Sequence, residues 1–371
     1  MPRLLFDTTR LQQSFLHTGI QRVVRCLLDA TRHILSGGAT QALPVTFADA
    51  DWQAFEDLAP HPLQGLGTQA QLPGRPIQPC EGDTLLLFDA SWYLSPWPAV
   101  DAALARGAHL CGMVHDLLPI EHPEWFRPGL SEPFARHLAA LAQRAECLFV
   151  PTVVVAERLN TQLERLRLHA RVEVLAHGGD FCPASLPTPA LAAPLDALCA
   201  SVSEAAPLYL ALGTLEPRKN HACILDAFER LWAEGSSARL LIVGNSGWQV
   251  DDLLQRLDSH PQRGDRLFHL TNLSDPELRE LLRHATAMLY LSSDEGFGLP
   301  MLEAAMQGCP VIAADIPVLR EVGGDWPSYI VPDSAALADL LQRPRTWSGR
   351  MPQRREWDAV ARRLIDLLHP K

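Results

Sequence analysis

No two of the eight cysteines form a C-x-x-C pair, and most lie inside apolar stretches. That spacing argues against a zinc ribbon or a redox dithiol and predicts buried, reduced thiols in a reducing compartment. No apolar run reaches the roughly 20 residues that a membrane-spanning helix requires. The opening Met1-Pro2-Arg3-Leu4-Leu5-Phe6-Asp7 has one cation, a short apolar stretch and then an acid. It reads as a first strand rather than a signal peptide, so a cytoplasmic protein is expected. Positive charge is in deficit, with 32 Lys and Arg against 43 Asp and Glu and a net charge of −11. Such a surface does not gather nucleic acid or anionic lipid, so any phosphate must be held by a local site. No metal-ligand spacing stands out, and an Asp-x-Asp or His-x-Asp metal site has no good candidate.

What is present is the pattern of two α/β domains. A chain of 371 residues exceeds one ordinary core. Its 47% apolar and 20% charged residues are a globular composition, not a disordered one. Short apolar runs at Leu4–Phe6, Thr84–Phe88, His109–Val114, Leu148–Val150 and Val172–Leu175 predict buried parallel strands. Amphipathic stretches at Gln21–Leu35 and Glu132–Ala145 lie between them. A second alternation has strands at Leu208–Leu212, Leu240–Val243, Leu267–His269, Ala287–Leu291 and Pro310–Ala313. Its helices are His221–Trp232, Asp251–Leu257 and Asp275–His284. The expected organisation is an N-terminal domain over 1–184, a Pro- and Ala-rich linker over 185–206 and a C-terminal domain over 207–354. A final amphipathic helix within 355–371 is expected to pack back toward the first domain. Residues 36–80, rich in Gly, Pro and Gln, predict no firm structure. Two such doubly wound sheets facing a central cleft would bind ligands at their strands' carboxyl ends.

Two segments of the second half carry chemistry. Gly213-Thr214-Leu215-Glu216-Pro217-Arg218-Lys219-Asn220 follows a strand and precedes a helix, with Asn220 as a candidate N-cap. Two cations beside a helix N-terminus suit a diphosphate; the alternative is two solvated cations on a turn. Asp294-Glu295-Gly296-Phe297-Gly298-Leu299-Pro300 then leads from a strand into a helix. The glycines permit close ligand approach, Pro300 fits the first helical position, and Glu303 is expected in the first turn. A carboxylate at Glu303 can accept hydrogen bonds from two ribose hydroxyls. Glu295, beside a phosphate site, is repulsive unless it meets donors such as sugar hydroxyls. The bland reading is an ordinary strand–loop–helix with surface acids.

With these residues in view, Glu295–Glu303 resembles the E-x7-E signature of retaining GT-B glycosyltransferases, family 4 in particular. Gly213–Asn220 is similar to that family's G-x-x-x-x-[RK]-K-N segment, and Val311–Pro317 with Leu319–Val322 resembles the strand and helix that follow. The resemblance implies a GT-B fold of two Rossmann-like domains. It also implies a metal-independent transferase, with a nucleotide-diphosphate sugar as substrate and no resident cofactor. It assigns Arg218 and Lys219 to the diphosphate, and the main chain of Gly296, Phe297, Gly298 and Leu299 to phosphate or sugar. Glu303 falls to the ribose and Glu295 to the transferred sugar. Gly244 would line the same site, and Asn272 and Leu273 would read the base.

In the first half, Thr18-Gly19-Ile20-Gln21 opens a helix, and Gly19 stands where the family often has two glycines near diphosphate and acceptor. The segment Val-His-Asp-Leu-Leu-Pro with His115-Asp116 resembles the family's V-H-D-x-x-P and places His115 beside the donor sugar; a structural histidine is the alternative. Asp116 then orients His115 or a loop, and Glu121, His122 and Glu124 are candidates for an acceptor loop. His177-Gly178-Gly179-Asp180 is similar to the family's N-G-V-D turn, with histidine replacing asparagine. Together with the His17–Arg22 pattern, these features resemble bacterial mannosyl- and rhamnosyltransferases of surface-polysaccharide assembly. They predict a GDP-sugar donor, with a UDP-sugar as the alternative, and a glycan or lipid-linked glycan acceptor that allows peripheral membrane contact. A nucleotide-sugar epimerase and a silent nucleotide-sugar-binding subunit are the rival readings.

Overall fold

The structure, a computed structural model, describes residues 2–13, 19–58, 74–181, 193–343, 347, 349–350, 352 and 355–368. It contains two compact units, Met1–Gly178 with Arg355–Lys371, and Gly179–Arg354.

The first unit holds an eight-stranded sheet of β1 (Arg3–Asp7), β2 (Gln41–Ala48), β3 (Asp51–Ala54), β4 (Arg75–Ile77), β5 (Thr84–Leu87), β6 (His109–Met113), β7 (Cys147–Val150) and β8 (Arg171–Val174). The strand order is β4-β3-β2-β1-β5-β6-β7-β8. β5 and β7 are buried along their whole length, as continuous apolar strands must be when helices cover both faces. Leu5, Leu85, Leu110 and Leu148 share one core cluster, and Phe88 meets Phe6 and Phe149 edge to face at 6.1 and 5.7 Å.

The span 36–80 departs from expectation, because β2, β3 and β4 form within it. Asp49, in the left-handed region at φ 54°, turns β2 back onto β3, and the Ala48–Asp51 pairing leaves a two-residue hairpin loop. Trp52 is then buried, its indole N–H donating to the Ala99 carbonyl at 3.0 Å. The abundance of Gly and Pro around this hairpin hides its alternating buried positions from a reading by composition. The helix Trp357–Leu368 packs its apolar face on the helix Gly19–Leu35 of the same unit.

The second unit has six strands, β9 (Leu208–Leu212), β10 (Arg239–Val243), β11 (Leu267–Leu270), β12 (Ala287–Tyr290), β13 (Val311–Ala314) and β14 (Ser328–Ile330), all parallel. Their order, β11-β10-β9-β12-β13-β14, is the doubly wound dinucleotide-fold order, with its switch point between β9 and β12. Part of the expected linker is helical: Ala193–Ala200 forms a helix whose Leu195 and Cys199 enter this unit's core. Residues 185–192 of that segment lie outside the described residues, and Ser203 and Ala206 form an isolated bridge. The helix Asp275–His284 begins on a capping box, Ser274 with Glu277, followed by Pro276.

Among the described residues no helix is long and apolar enough to cross a membrane. None of the seven described cysteines is in a disulfide; five are buried, Cys223 is partly covered, and Cys80, against expectation, is exposed.

Candidate active site

At the switch point of the second unit the chain leaves β9 toward β10 and leaves β12 toward β13. The two loops therefore diverge and open a crevice at the strands' carboxyl ends. Those loops are Gly213–Asn220 and Leu291–Gly298, and hydrogen bonds tie them together. Ser293 N–H donates to the Arg218 carbonyl at 2.7 Å, and Arg218 Nη1 donates to the Asp294 carbonyl at 3.0 Å. Asn220 does not act as the expected N-cap. It sits in the left-handed region, and its amide donates to the Leu291 carbonyl at 2.7 Å and to Ser293 Oγ at 3.0 Å. Its side chain closes the crevice floor instead of capping the helix.

Glu295 is the centre of the site. Its carboxylate accepts from Arg218 Nη1 at 2.9 Å, from the Tyr290 hydroxyl at 2.8 Å and from Lys219 Nζ. Arg218 also pairs with Glu216 at 2.6 Å, and Lys219 Nζ lies 5.0 Å from the Tyr290 ring centroid. Two cations and two carboxylates thus form a charge-balanced cluster, with Glu295 only 6% exposed. Burial alone would raise the Glu295 carboxyl, but Arg218 and Lys219 outweigh it and hold the group well below the usual carboxylate range. Burial pulls the Lys219 ammonium down, against the attraction of Glu295. Tyr290 and Glu216 were not singled out from the sequence. Tyr290 had one visible signal, a polar-tipped residue ending an otherwise apolar strand.

The expected donor loop surrounds this cluster. Gly298 has φ +89° and begins the helix Leu299–Met306, which no side chain caps; Phe297 and Leu299 are buried beside it. Gly296 directly follows Glu295. Glu303 is the fifth residue of that helix and therefore lies beyond its first turn, contrary to expectation; it is 1% exposed. Gly213 adopts φ +141° next to the Lys219 side chain. A Cβ on Gly244 would stand 1.9 Å from the Gly213 carbonyl oxygen, so glycine is required there for the close passage of two strand ends. Asn272, at φ 56°, and Leu273 follow β11, two strands from β9 and so about 10 Å across the sheet.

The first unit has its own switch point, between β1 and β5. Two acids that end or follow those strands, Asp7 and Asp89, are buried there. Asp7 accepts from Thr9 N and Oγ1 at 3.0 and 2.6 Å and from Ser91 Oγ, and Asp89 accepts from Leu11 N at 2.6 Å and Ala90 N at 2.7 Å. Gln21 reaches Asp89 at 3.4 Å. His115 lies beyond β6, buried, and its Nε2 donates to the Phe88 carbonyl at 2.8 Å. A carbonyl only accepts, so Nε2 carries the proton and Nδ1 is an acceptor. Burial pushes His115 down to about 4, which keeps it neutral at physiological pH. His177 stacks on Trp357 at 5.9 Å and lies 6.0 Å from His115. Asp116 accepts from Leu118 N at 3.1 Å and so organises its own loop. Glu121 faces Arg158 at 3.5 Å, and His122 pairs with Glu124 and stacks on Trp125 at 3.8 Å. Gly19 opens its helix in an exposed position. Residues 14–18, including His17 and Thr18, lie outside the described residues.

The acid pair has a measurable signature. Burial, and then repulsion from Asp7, push Asp89 up to about 7 from 3.8. The folded chain therefore keeps a proton that the unfolded chain has released, and this contribution to stability fades as pH rises through the window from about 4 to 7. Asp89→Asn cannot accept every bond of the carboxylate, but it also lacks the repulsion. Its stability deficit against wild type should shrink by roughly 3 kcal/mol between pH 5 and pH 8 in denaturant titrations. An equal deficit at both values would refute the assignment.

Residues 201–368 match the family model of glycosyl transferases group 1. Over 353 residues, 93% of the chain, the sequence is 35% identical to the serotype-specific mannosyltransferase WbdA of Escherichia coli, and the chain spans 41% of that protein's length. Over 142 residues, 37% of the chain and 39% of the relative, it is 33% identical to the O-antigen chain mannosyltransferase RfbU of Salmonella typhimurium. In fold it resembles sucrose-phosphate synthase from Thermosynechococcus elongatus, with TM-score 0.66 and 17% identity over 99% of this chain and 98% of that one. It also resembles Anabaena HepE in complex with UDP and glucose, with TM-score 0.59 and 14% identity over 99% and 95% of the two chains. Residues 201–368, which hold the six-stranded sheet of the second unit, belong by sequence to the group 1 glycosyl transferases, in a chain whose two α/β sheets have a GT-B-like fold.

Proposed function

We propose that the protein is a retaining mannosyltransferase. It would move mannose from GDP-mannose to a glycan or lipid-linked glycan acceptor in bacterial surface-polysaccharide assembly. The observation that carries this reading is the paired Arg218 and Lys219 at the switch point, both on Glu295. The 35% identity to a mannosyltransferase over 93% of the chain supports the choice of sugar. Such a protein works at the cytoplasmic membrane face, and among the described residues no helix is long and apolar enough to span it. Its first unit serves the acceptor and its second the nucleotide.

Cleaving a sugar–phosphate bond builds negative charge on the departing diphosphate, and Arg218 and Lys219 stabilise that charge. The diphosphate takes over the cations from Glu295, whose carboxylate then accepts hydroxyls of the transferred sugar. His115 keeps Nδ1 as an acceptor for a sugar hydroxyl. The leaving phosphate takes the acceptor's proton on the same face, so the protein supplies no nucleophile. Glu303 accepts the ribose hydroxyls. Glu303→Ala should therefore weaken GDP binding at least tenfold, the loss of about 1.4 kcal/mol, while leaving turnover at saturation largely intact. Unchanged GDP affinity by calorimetry counts against that role.

A thermal-shift series with GDP, UDP, ADP and TDP tests the nucleotide, since a ligand of the folded state raises Tm. NMR of GDP-mannose with and without acceptor tests the reaction. A GDP-selective shift and an acceptor-dependent glycoside are expected. A UDP-selective shift would overturn the donor, and conversion of donor without acceptor would point to an epimerase.

A further inference from the structure

The switch point of a doubly wound sheet is where such sheets ordinarily take a ligand. In the first unit that place is filled by the chain itself. Asp7, ending β1, and Asp89, just after the neighbouring β5, are 1% and 3% exposed, and between them they gather hydrogen bonds from Thr9, Leu11, Ala90, Ser91 and Gln21. Burying two carboxylates side by side is costly, and a plain apolar filling would be cheaper. Their bonds converge on one short piece of backbone. Asp89 anchors it through Leu11 N and Ala90 N, and Ser91 is tethered to Asp7, so Phe88–Ser91 is held from both sides. Phe88 supplies the carbonyl that receives His115 Nε2 at 2.8 Å.

We propose that Asp7 and Asp89 are positioning residues that fix the Phe88 carbonyl, and through it the Nε2–H tautomer of His115, so that Nδ1 faces a sugar hydroxyl as an acceptor. The assignment of the hydroxyl rests on the proposed transferase reading; the tautomer assignment does not. If the Phe88 carbonyl drifts, the imidazole is free to move its proton to Nδ1, and the sugar hydroxyl must then turn from donor to acceptor there. Binding of the sugar becomes misaligned without any loss of the nucleotide contacts in the second unit.

The test uses the full chain labelled with ¹⁵N-histidine and long-range proton–nitrogen correlation at pH 7.5, with the His115 signals identified by their loss in His115→Gln. Wild type should show a protonated Nε2 and a bare Nδ1. Asp89→Ala, or the milder Ser91→Ala if the former does not fold, should give mixed tautomers or averaged signals. With GDP-mannose, the same variant should lose about tenfold in kcat while its donor KM stays within twofold. A folded variant with the wild-type ¹⁵N pattern would overturn the proposal, as would a wild-type His115 that carries its proton on Nδ1. If the tautomer shifts as expected but the wild-type chain transfers no sugar, the transferase reading fails and the positioning role stands.

Discussion

Lys219→Ala should lower transfer by at least tenfold in kcat/KM, a loss of about 1.4 kcal/mol or more in transition-state stabilisation. The ammonium is placed between the Tyr290 ring and the Glu295 carboxylate, where little solvent competes with it, so it acts at short range on whatever anion replaces Glu295. Lysine occurs at only two positions in the sequence, 219 and 371. Arginine carries the cationic work almost everywhere else, so a compact ammonium at 219 answers a local need. A planar fork does not fit against Tyr290 and Glu295 in the same way, and Lys219→Arg should not restore the rate. Removing one partner of a buried ion pair also costs about 3–5 kcal/mol of stability. The comparison must therefore be made on protein shown to be folded by near-ultraviolet circular dichroism. Turnover within twofold of wild type in such a sample would reject the role of Lys219.

The second large effect has opposite signs for binding and for turnover. In the ligand-free chain Glu295 occupies the cations that the diphosphate needs. Glu295→Gln keeps the shape and removes one negative charge, so the cluster becomes net positive. GDP should then bind at least tenfold more tightly, about 1.4 kcal/mol, while turnover falls because the carboxylate that places the sugar is gone. Stability without nucleotide should fall as well, since two buried cations lose the carboxylate that they share. Calorimetry with GDP and a kcat measurement on one sample decide the matter. Weaker GDP binding in the variant would mean that Glu295 does not compete for the cations.

Much of this architecture is legible in the residues. β1, β5–β8 and β9–β13 announce themselves as apolar runs because helices cover both faces, whereas the short β14 does not, and the helix Asp275–His284 is bounded by its own cap and proline. The hairpin of β2 and β3 was not legible, since it depends on one left-handed aspartate inside a Gly- and Pro-rich stretch. The site was legible as a set of residue types but not as a set of contacts. Arg218 and Lys219 reach Glu295 across 77 and 76 positions, and nothing local to Glu295 announces that its first partners are cations rather than sugar hydroxyls. Asn220 looked like a cap because its type and place fit one, yet the carbonyl at the end of β12 offered its amide a better acceptor. Asp7 closes the apolar opening of the chain, whereas nothing in the sequence marks Asp89. Their pairing follows only from β1 and β5 being neighbours, which the order of strands along the chain does not reveal.

The charge balance around Glu295 also bears on selectivity inside a cell. A carboxylate held on the neighbouring loop acts at a high effective concentration, so a small anion arriving from solution must outcompete a neighbour that never diffuses away. Inorganic phosphate and free carboxylic acids hold no second grip and lose that contest. A molecule that also anchors its pentose and base elsewhere on the sheet brings its own tether and wins it. Under the proposed function, the resting site is thereby shielded from the abundant anions around it and yields to the one that carries a nucleoside.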